Sequence, residues 1–563
     1  MDLVLVGLPG SGKSSVGRRI AARHAARFVD LDATIEEAAG LTIPQLFEAE
    51  GEAGFRARER AAVAALGQPD SAPELRRVIA TGGGTVVDPA NRWALYRGRR
   101  AVWLNGPPEV LAQRLRNSPH PRPLLQGRDP VGAIRELAAG RERFYGPALR
   151  LNGLSQVGAV LDRLDAFMAG SAPAGTTLLA ADTRLGRIRI GESFATRALV
   201  DLLAELGAPR AILVSEPGAW AAVGEALAGG LAEAGIPVER ILMPAGESAK
   251  RLSVIEVAAG DLARLRVERT EPLIAVGGGA LGDAAGFLAA TWMRGVPLIH
   301  LPTTLVAQID SSIGGKTAVD LAEGKNLVGA FHQPAAILID VQLVAGLPER
   351  QRRSALGEAV KMATLGDEAL FVLLEEKGGG IIRAEPAVIA HGAVAELVER
   401  CAWAKVEVVL ADEHESGGHA GASLDPVASA RIEAGRLALN LGHSLGHGFE
   451  AAAGYGESLL HGEAVAYGLR AACRIGVALG VTPVDRADRI EHLLTTLELA
   501  PAGGLHELGL TRADVLRALS ADKKHAGGRL RWVLPTAEFV AVRTGVPAEL
   551  IERITDELLE ARP

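Results

Sequence analysis

Cysteine, aromatic residues and long uncharged apolar runs are all scarce in this chain. Its 563 residues include only two cysteines, Cys401 and Cys473, which cannot build a disulfide framework and so favour a reducing compartment. Aromatic residues make up 4% of the chain, so its cores must rest on Leu, Val, Ile and Ala. No apolar run of about 18 residues lacks a charge, which argues against a transmembrane helix.

Excess positive charge is also missing, since the formal net charge is −7. This balance gives no reason to expect nucleic acid or an anionic membrane as a partner. Met1 runs directly into an apolar strand, without the basic and apolar regions of a signal peptide. Together these features predict a cytoplasmic location.

The chain is too long for one core, and the length predicts two to four domains. Small residues with Pro and Gly at 168–176 predict a flexible linker. In front of it, 1–167 alternates strands and helices, which predicts an α/β domain with a parallel sheet covered by helices on both faces. Behind it we expect a second α/β domain over 177–345 and a mostly helical domain over 346–563.

The first motif is a glycine-rich loop, GLPGSGKS at 7–14, directly after the apolar run LVLV. Its glycines let backbone N–H groups crowd round phosphate oxygens, Lys13 can reach the β- and γ-phosphates, and Ser14 can bind Mg²⁺. The positive end of the following helix points at the same anion. The loop therefore predicts a nucleotide phosphate site.

Other residues in the front domain suit a phosphoryl acceptor. Asp30 and Asp32 end a predicted strand at 28–32, where acids bind a Mg²⁺ water or a substrate hydroxyl, or simply cap a helix. Arg56 can clamp a carboxylate, the glycines at 82–84 allow close approach of a ligand, and Arg122 lies in a proline-stiffened lid. These residues alone predict a small P-loop kinase, with gluconate and nucleoside kinases as rivals.

With Arg141 and Tyr145 added, these motifs resemble shikimate kinase over residues 1 to about 165. The resemblance implies that Asp32 engages the hydroxyl that is phosphorylated and that Arg56 and Arg141 bind the carboxylate of shikimate. The glycines that complete the shikimate site are Gly82, Gly83 and Gly84. The residues expected at ATP and Mg²⁺ are Gly10, Gly12, Lys13, Ser14, Ser15 and Arg122, with Ser14 as the Mg²⁺ ligand and with Lys13 and Arg122 in catalytic roles.

Two patterns behind the linker carry chemistry. The strand at 274–276 runs into the turn GGGALGD at 277–283, which can seat a pyrophosphate or serve as a structural turn. His443 and His447 are four residues apart, one helical turn, and His461 opens another helical run. Histidines on one face plus a carboxylate build catalytic Zn²⁺ sites, although the spacing does not say which two imidazoles bind. The candidate carboxylates are Glu358, Glu450 and Glu463.

Residues 176–563 resemble 3-dehydroquinate synthase, through the motifs PAGE at 244–247, the 277–283 turn, GEAVK at 357–361, NLGHSLGH at 440–447 and HGEAV at 461–465. The resemblance implies an NAD⁺ domain followed by a helical metal domain, with the active site between them and a homodimer through this half. Zn²⁺ or Co²⁺ would be held by Glu358, His443 and His461, and His447 would contact substrate or relay a proton.

The resemblance also assigns the two organic ligands. The residues expected at NAD⁺ are Glu247, Lys250, Gly278, Gly279, Asp283, Thr303, Thr304 and Lys325. Those expected at the substrate, 3-deoxy-D-arabino-heptulosonate 7-phosphate, are Asp310, Lys316, Lys325, Asn326, Lys361, Lys405, Arg436, Asn440 and Lys523. Lys316, Lys361, Arg436, Asn440 and His447 would take catalytic roles. Arg294 would approach the substrate phosphate from its own or a neighbouring subunit.

The sequence departs from the synthase pattern in three places, one of which is that Gly435 stands directly before Arg436 with no Leu between. Gly346 stands where the family usually has Thr, which predicts the loss of one NAD⁺ hydroxyl contact. An insertion at about 413–432 separates the acidic segment from Arg436, so Glu415 and Glu433 remain alternatives for the acidic role.

We therefore expect a bifunctional enzyme that phosphorylates shikimate and cyclises the heptulosonate phosphate with release of phosphate. Rivals for the rear half are a cyclase of sedoheptulose 7-phosphate, a polyol dehydrogenase, which would not need so many cations, and a degenerate scaffold. The rival for the front half is an ATP-binding module without turnover.

Overall fold

The computed structural model of the protein describes residues 1–70, 72–116, 129–170, 175–414, 434–525 and 530–561. The chain divides into two compact units, residues 1–183 with 187–198 and residues 184–186 with 199–563. Among the described helices, none is both long and apolar enough to cross a membrane.

The first unit is built on a parallel sheet of five strands in the order β2-β3-β1-β4-β5. Its strands are β1 Asp2–Val6, β2 Arg27–Asp30, β3 Arg77–Ala80, β4 Arg100–Asn105 and β5 Leu149–Asn152. Its helices are α1 Lys13–Arg23, α2 Leu31–Ala39, α3 Ile43–Ala64, α4 Pro89–Tyr96, α5 Pro108–Arg116, α6 Pro130–Tyr145 and α7 Val157–Ala169. Strand β1 is central and wholly buried, as expected of a continuous apolar run in a parallel sheet.

Two neighbouring strands and a helix follow, β6 Thr176–Thr183, β7 Gly186–Glu192 and α8 Ala195–Leu206. In the second unit, five parallel strands then lie in the order β14-β11-β10-β8-β9. They are β8 Ala211–Ser215, β9 Val238–Leu242, β10 Leu273–Gly277, β11 Leu298–Pro302 and β14 Ala336–Asp340. The strand order changes direction between β8 and β10, and ligands of doubly wound sheets bind at such a point, beyond the carboxyl ends of the strands.

Helices and one hairpin cover this second sheet. The helices are α9 Pro217–Ala219, α10 Glu225–Glu233, α11 Leu252–Arg264 and α12 Gly279–Thr291, and the antiparallel hairpin is β12 Lys316–Leu321 with β13 Gly324–Phe331. Leu262 on α11, Leu273 on β10 and Leu288 on α12 belong to one buried apolar cluster between sheet and helices. This core fixes the glycine turn at the start of α12.

The rest of the second unit is mostly helical. Its helices are α13 Glu349–Thr364, α14 Glu368–Ile382, α15 Pro386–Ala390, α16 Ala393–Ala411, α17 His443–Ala452, α18 His461–Ala478, α19 Val484–Thr496, α20 Arg512–His525 and α21 Ala548–Glu560. A small antiparallel hairpin joins them, β15 Trp532–Pro535 with β16 Val540–Arg543. Residues 354–364 of α13 are all buried, which makes α13 a central helix.

The predicted fold class is confirmed: a P-loop α/β unit is followed by an α/β layer and a helical part. One local prediction is wrong, because the strand expected at 28–32 ends at Asp30 and α2 begins at Leu31. Asp32 therefore lies in the first turn of a helix rather than at a strand end.

Candidate active sites

Close helix crossings at glycines build the centre of the rear site. A Cβ on Gly357 of α13 would overlap the carbonyl oxygen of Gly462 on α18 and would lie 2.9 Å from its carbonyl carbon. Gly442, at the start of α17, and Gly468 of α18 meet even more closely. Because Glu358 follows Gly357, and His461 precedes Gly462, the glycine contact brings this carboxylate and this imidazole together.

Three side chains converge where these helices meet. Glu358, His443 and His461 each offer a ligand atom, and the three atoms lie within 4.8 Å of one another. Glu358 Oε1 is 3.0 Å from His461 Nε2 and 3.5 Å from His443 Nε2. One carboxylate and two imidazoles in this arrangement are a donor set that suits Zn²⁺ or Co²⁺ and leaves a coordination position for substrate.

The second nitrogen of each imidazole has its own partner. His443 Nδ1 lies 3.0 Å from the carbonyl oxygen of Leu441, and His461 Nδ1 lies 2.9 Å from Glu450 Oε2. A hydrogen on each Nδ1 is donated to these oxygens, so Nε2 of each ring faces Glu358 and is the atom that a metal ion would bind in place of a proton. The hydrogen bonds at Nδ1 therefore favour binding of a divalent metal ion through Nε2 of both imidazoles.

Burial and hydrogen bonds act differently on these groups. Burial lowers the pKa of His443 to about 3, which keeps its ring neutral. Burial also lowers the pKa of His461, but hydrogen bonds with Glu358 and Glu450 outweigh it and raise that pKa to about 10. Burial acts to raise the pKa of Glu358, yet Lys361 and the two imidazoles hold it well below the ordinary value. Glu358 is thus anionic, as a metal ligand must be.

The other two candidate carboxylates occupy different positions. Glu463 forms a bidentate ion pair with Arg350, at 2.8 and 2.9 Å, and accepts the N–H of Leu460 at the start of α18. Glu450 binds His461 on the side away from Glu358, and with His447 it forms a second, overlapping donor set. The group of Glu358, His443 and His461 is the better candidate for the metal site, because Glu450 already accepts the Nδ1 hydrogen of His461.

Two buried lysines and a second carboxylate lie beside the triad. Lys361 Nζ is 2.5 Å from Glu358 Oε2 and 3.8 Å from Asp310 Oδ1, and Lys405 Nζ is 3.0 Å from Asp310 Oδ1. Burial lowers the pKa of Lys405, whereas Glu358 and Asp310 overcome burial and raise the pKa of Lys361. Both lysines are held within ion-pair distance of a carboxylate, and such cations can hold anionic groups of a substrate.

Lys250 is the centre of a charged cluster among the residues predicted to bind NAD⁺. Its Nζ is 2.9 Å from Asp283 on α12, donates to Asn326 Oδ1, and lies 3.9 Å from both Glu247 and Asp320. The sequence analysis missed Asp320, which also accepts the N–H of Asn326 at 2.8 Å. An acid in a hairpin gives no sequence signal for such a role.

The glycine turn after β10 lies at the switch point of the sheet. A Cβ on Gly279 would lie 2.7 Å from Ser311 Oγ, and one on Gly278 would lie 3.2 Å from Thr304 Cγ2. The N–H of Thr303 donates to the carbonyl of Gly277. The turn therefore has little room for side chains at these two positions, and a side-chain-free turn at the start of a helix is what a pyrophosphate site requires.

The remaining predicted residues of the rear half differ in how they lie. Arg436 is buried and donates to the carbonyls of Gly314 and Glu413, while Asn440 is exposed three residues before His443. His447 is exposed beside the triad, with its ring centre 5.1 Å from that of His443. Lys316 is exposed at the start of β12. Arg294 lies beyond the C-terminal end of α12, and a Cβ on Gly346 would meet nothing within 4 Å.

The front site gathers around the glycine loop. Gly7, Gly10 and Gly12 have φ of 139°, 81° and 94°, a conformation that favours glycine. Lys13 Nζ donates to the carbonyls of Gly7 and Leu8 at 2.8 and 3.0 Å, and α1 begins at this lysine. Ser14 is half-buried and Ser15 exposed on the first turn. The loop and helix have the arrangement that cradles nucleotide phosphates.

The predicted shikimate residues also lie together. A Cβ on Gly82 would lie 2.7 Å from Asp32 Oδ1, one on Gly84 would lie 3.0 Å from Arg56 Nη1, and Arg141 Nη1 donates to the carbonyl of Gly83 at 2.9 Å. The kinase motif includes Glu59 without giving it a role, and the structure shows it as a buried acid that accepts from Arg56 and from Thr85 Oγ1, both at 2.8 Å. Its position one helical turn after Arg56 was the available signal.

Four predicted residues lie outside the described part of the chain. Arg122, Glu415 and Glu433 fall between the described ranges, and the side chain of Lys523 belongs with them. Their roles stay predictions.

Comparisons with known proteins agree with both halves. The shikimate kinase family model matches residues 9–150, and the N-terminal and C-terminal models of 3-dehydroquinate synthase match residues 240–354 and 355–525. The chain is 40% identical over 344 residues to 3-dehydroquinate synthase of Symbiobacterium thermophilum, which covers 59% of this chain and 88% of that protein. The corresponding enzyme of Colwellia psychrerythraea is 39% identical over 300 residues, 53% of this chain and 77% of that one.

A solved structure matches the rear half. It is ValA, a 2-epi-5-epi-valiolone synthase from Streptomyces hygroscopicus with NAD⁺ and Zn²⁺ bound, 28% identical, with a TM-score of 0.58. The match covers 68% of this chain and 98% of ValA.

Proposed function

We propose two reactions for this chain, which belongs to the 3-dehydroquinate synthase family and carries a shikimate kinase domain in front. The front half transfers phosphate from ATP to shikimate, and the rear half converts 3-deoxy-D-arabino-heptulosonate 7-phosphate into 3-dehydroquinate and phosphate. The observation that carries the rear assignment is the convergence of Glu358, His443 and His461 in the same compact unit as the glycine turn of α12.

In the front half, positioning and charge explain the transfer. We assign Mg²⁺ to Ser14 and the ATP phosphates to Lys13 and the loop glycines, because little covalent chemistry is needed beyond alignment and neutralisation. Asp32 faces the glycine run and would orient the acceptor hydroxyl, while Arg56 and Arg141 would bind the carboxylate. Glu59 holds the guanidinium of Arg56 at 2.8 Å and so fixes its direction.

In the rear half, NAD⁺ and Zn²⁺ or Co²⁺ are the proposed cofactors. When bound, they supply hydride transfer at a substrate hydroxyl and polarisation of the reacting oxygens. Glu358, His443 and His461 would hold the metal, and Lys250 and Asp283 would bind the dinucleotide. That ValA contains NAD⁺ and Zn²⁺ supports this assignment.

The charged residues around this centre suit an anionic substrate. Lys361 and Lys405 are buried, and each forms an ion pair with a carboxylate, Glu358 and Asp310 respectively. Their ammonium groups are therefore held in place for a carboxylate or phosphate of the substrate. His447 is exposed beside the triad and can take or return a proton at the substrate. A neutral polyol would not require the two buried ammonium groups, which disfavours a dehydrogenase.

We also propose a homodimer through the rear half and a cytoplasmic location. Arg294 follows α12, whose 13 residues separate it from the glycine turn by about 20 Å along the helix axis. An arginine at that distance reaches a substrate phosphate more readily in a second copy. The proposed domain limits stay 1–167, 177–345 and 346–563.

Product analysis tests both reactions. The full chain is given ATP, Mg²⁺ and shikimate, and separately NAD⁺, Zn²⁺ and either the heptulosonate phosphate or sedoheptulose 7-phosphate. We expect shikimate 3-phosphate in the first mixture, and 3-dehydroquinate with phosphate from the heptulosonate only. Phosphate release from sedoheptulose 7-phosphate alone would favour the rival cyclase, and an inert rear half would favour a scaffold.

A further inference from the structure

Glu450 of α17 lies between a proposed metal ligand and the hairpin of the α/β part. Its Oε2 accepts the Nδ1 hydrogen of His461 at 2.9 Å, and its Oε1 lies 3.3 Å from Lys325 Nζ. The carboxylate side chain is only 11% exposed. One buried carboxylate is thus shared by a donor from the helical part and a donor from β13.

Lys325 continues this contact toward the dinucleotide residues. Its Nζ is 3.1 Å from Glu247 Oε1, and Glu247 Oε2 is 3.9 Å from Lys250 Nζ. Lys250 in turn is paired with Asp283 near the start of α12. Alternating charges therefore run without a break from a metal ligand to the helix that follows the glycine turn.

A second residue near the end of α17 supports the same ammonium. The ring centre of Tyr455 is 4.1 Å from Lys325 Nζ, close enough for a cation–π contact. Tyr455 has φ of 52°, which non-glycine residues rarely adopt, and its N–H donates to the carbonyl of Glu450 at 3.2 Å. The turn after α17 thus presents a carboxylate and an aromatic face to one lysine.

We propose that Glu450 is a positioning residue that couples the metal ion to the dinucleotide, by orienting His461 and by fixing Lys325. This inference rests on the proposed function of the rear half. Both neighbours of Glu450 are donors, and a carboxylate accepts from both at once. Glutamine has the same shape but one acceptor and one donor group, so it can serve only one of them.

The coupling follows from shared ordering. A metal ion on His461 fixes the imidazole, and therefore Glu450 and Lys325, before the dinucleotide arrives. The dinucleotide then meets residues that are already ordered and loses less conformational entropy on binding. Because coupling of two equilibria is reciprocal, NAD⁺ must tighten the metal by the same factor.

Equilibrium binding to the full chain tests this without turnover. Zinc affinity is measured by competition with a chromophoric chelator, and NAD⁺ affinity by calorimetry with and without saturating zinc. In the parent protein we expect zinc to tighten NAD⁺ by about fivefold or more. In Glu450→Gln we expect zinc affinity to fall by about 10- to 100-fold, and the zinc effect on NAD⁺ to approach one.

Two further variants separate positioning from general damage. Glu457→Gln removes an exposed carboxylate from the segment between α17 and α18. It should leave the zinc affinity, the NAD⁺ affinity and their coupling unchanged. Tyr455→Ala, at a 43% exposed position, should reduce the coupling factor without weakening zinc, whereas Tyr455→Phe should retain it. Melting curves of the metal-free proteins verify that each variant is folded.

The outcomes distinguish this inference from the proposed function. A chain that binds zinc and NAD⁺ with the same coupling factor in the parent, in Glu450→Gln and in Tyr455→Ala would overturn the inference alone. The same holds if zinc leaves NAD⁺ affinity unchanged in the parent. A parent chain that binds neither ligand would overturn the proposed rear function, and this inference with it.

Discussion

The Gly357→Ala substitution tests how the metal site is built. The added Cβ would overlap the Gly462 carbonyl oxygen and lie 2.9 Å from its carbon, whereas carbon atoms pack at about 3.5–4.0 Å. Helices α13 and α18 must then separate by about 1 Å or more, because the overlap with the oxygen is larger than that with the carbon. Since Glu358 and His461 adjoin the two glycines, this shift exceeds the tolerance of about 0.5 Å for a working site.

We expect two measurable effects. Overpacking costs about 1–3 kcal/mol, offset by about 1 kcal/mol because alanine is the better helix former. Zinc affinity should fall by at least about tenfold, since misdirected ligand partners already cost that much. Chelator competition measures the zinc affinity. Urea unfolding of the metal-free protein, monitored by hydrogen exchange in α13, measures the loss of stability.

The matched control is Gly229→Ala on α10. A Cβ there would meet nothing within 4 Å, so the same chemical change should stabilise the helix by about 0.5–1 kcal/mol and leave zinc affinity unchanged. Parent-like zinc binding by Gly357→Ala would refute the argument that the glycine crossing sets the ligand geometry.

Three other substitutions address separate parts of the account. Glu358→Gln should lower the free energy of unfolding of the metal-free protein by about 3–5 kcal/mol, measured by hydrogen exchange, because among described residues it leaves the buried ammonium of Lys361 only Asp310, at 3.8 Å, as a carboxylate partner. The control Glu349→Gln, exposed on the same helix, should cost under about 1 kcal/mol, and equal losses would contradict the burial argument. Lys13→Ala should abolish shikimate-dependent ADP formation but leave phosphate release by the rear half intact, and a parallel loss of both activities would count against independent sites. Gly346→Thr should be accommodated in open space and tighten NAD⁺ in calorimetry by about threefold to tenfold, the worth of one hydrogen bond; unchanged affinity would mean that no contact is missing there.

Local motifs were predictable because their chemistry lies in consecutive residues. The loop from Gly7 to Ser14 has its strand, glycines and helix in order along the chain, and the structure has the same elements there. The i, i+4 spacing of His443 and His447 likewise predicted one helix, which α17 provides. The parallel sheets followed from alternating strands and helices.

Other features depend on contacts between distant segments. Spacing left three carboxylates open for the metal, and only the crossing of α13 with α18 puts Glu358 at His461 while Arg350 engages Glu463. The predicted strand end was wrong because Leu31 continues the apolar pattern of Phe28 and Val29, whereas the structure begins a helix at Leu31. The close crossing of two helices at Gly357 and Gly462 cannot be predicted from the sequence of either helix alone.

An anomalous difference map at the zinc absorption edge, from crystals of the zinc-loaded full chain with NAD⁺, tests the central claim most directly. The account predicts one strong peak within bonding distance of Glu358, His443 and His461, about 2.0–2.2 Å from each ligand atom. A peak held instead by His447 and Glu450, or no peak at these helices, would contradict it.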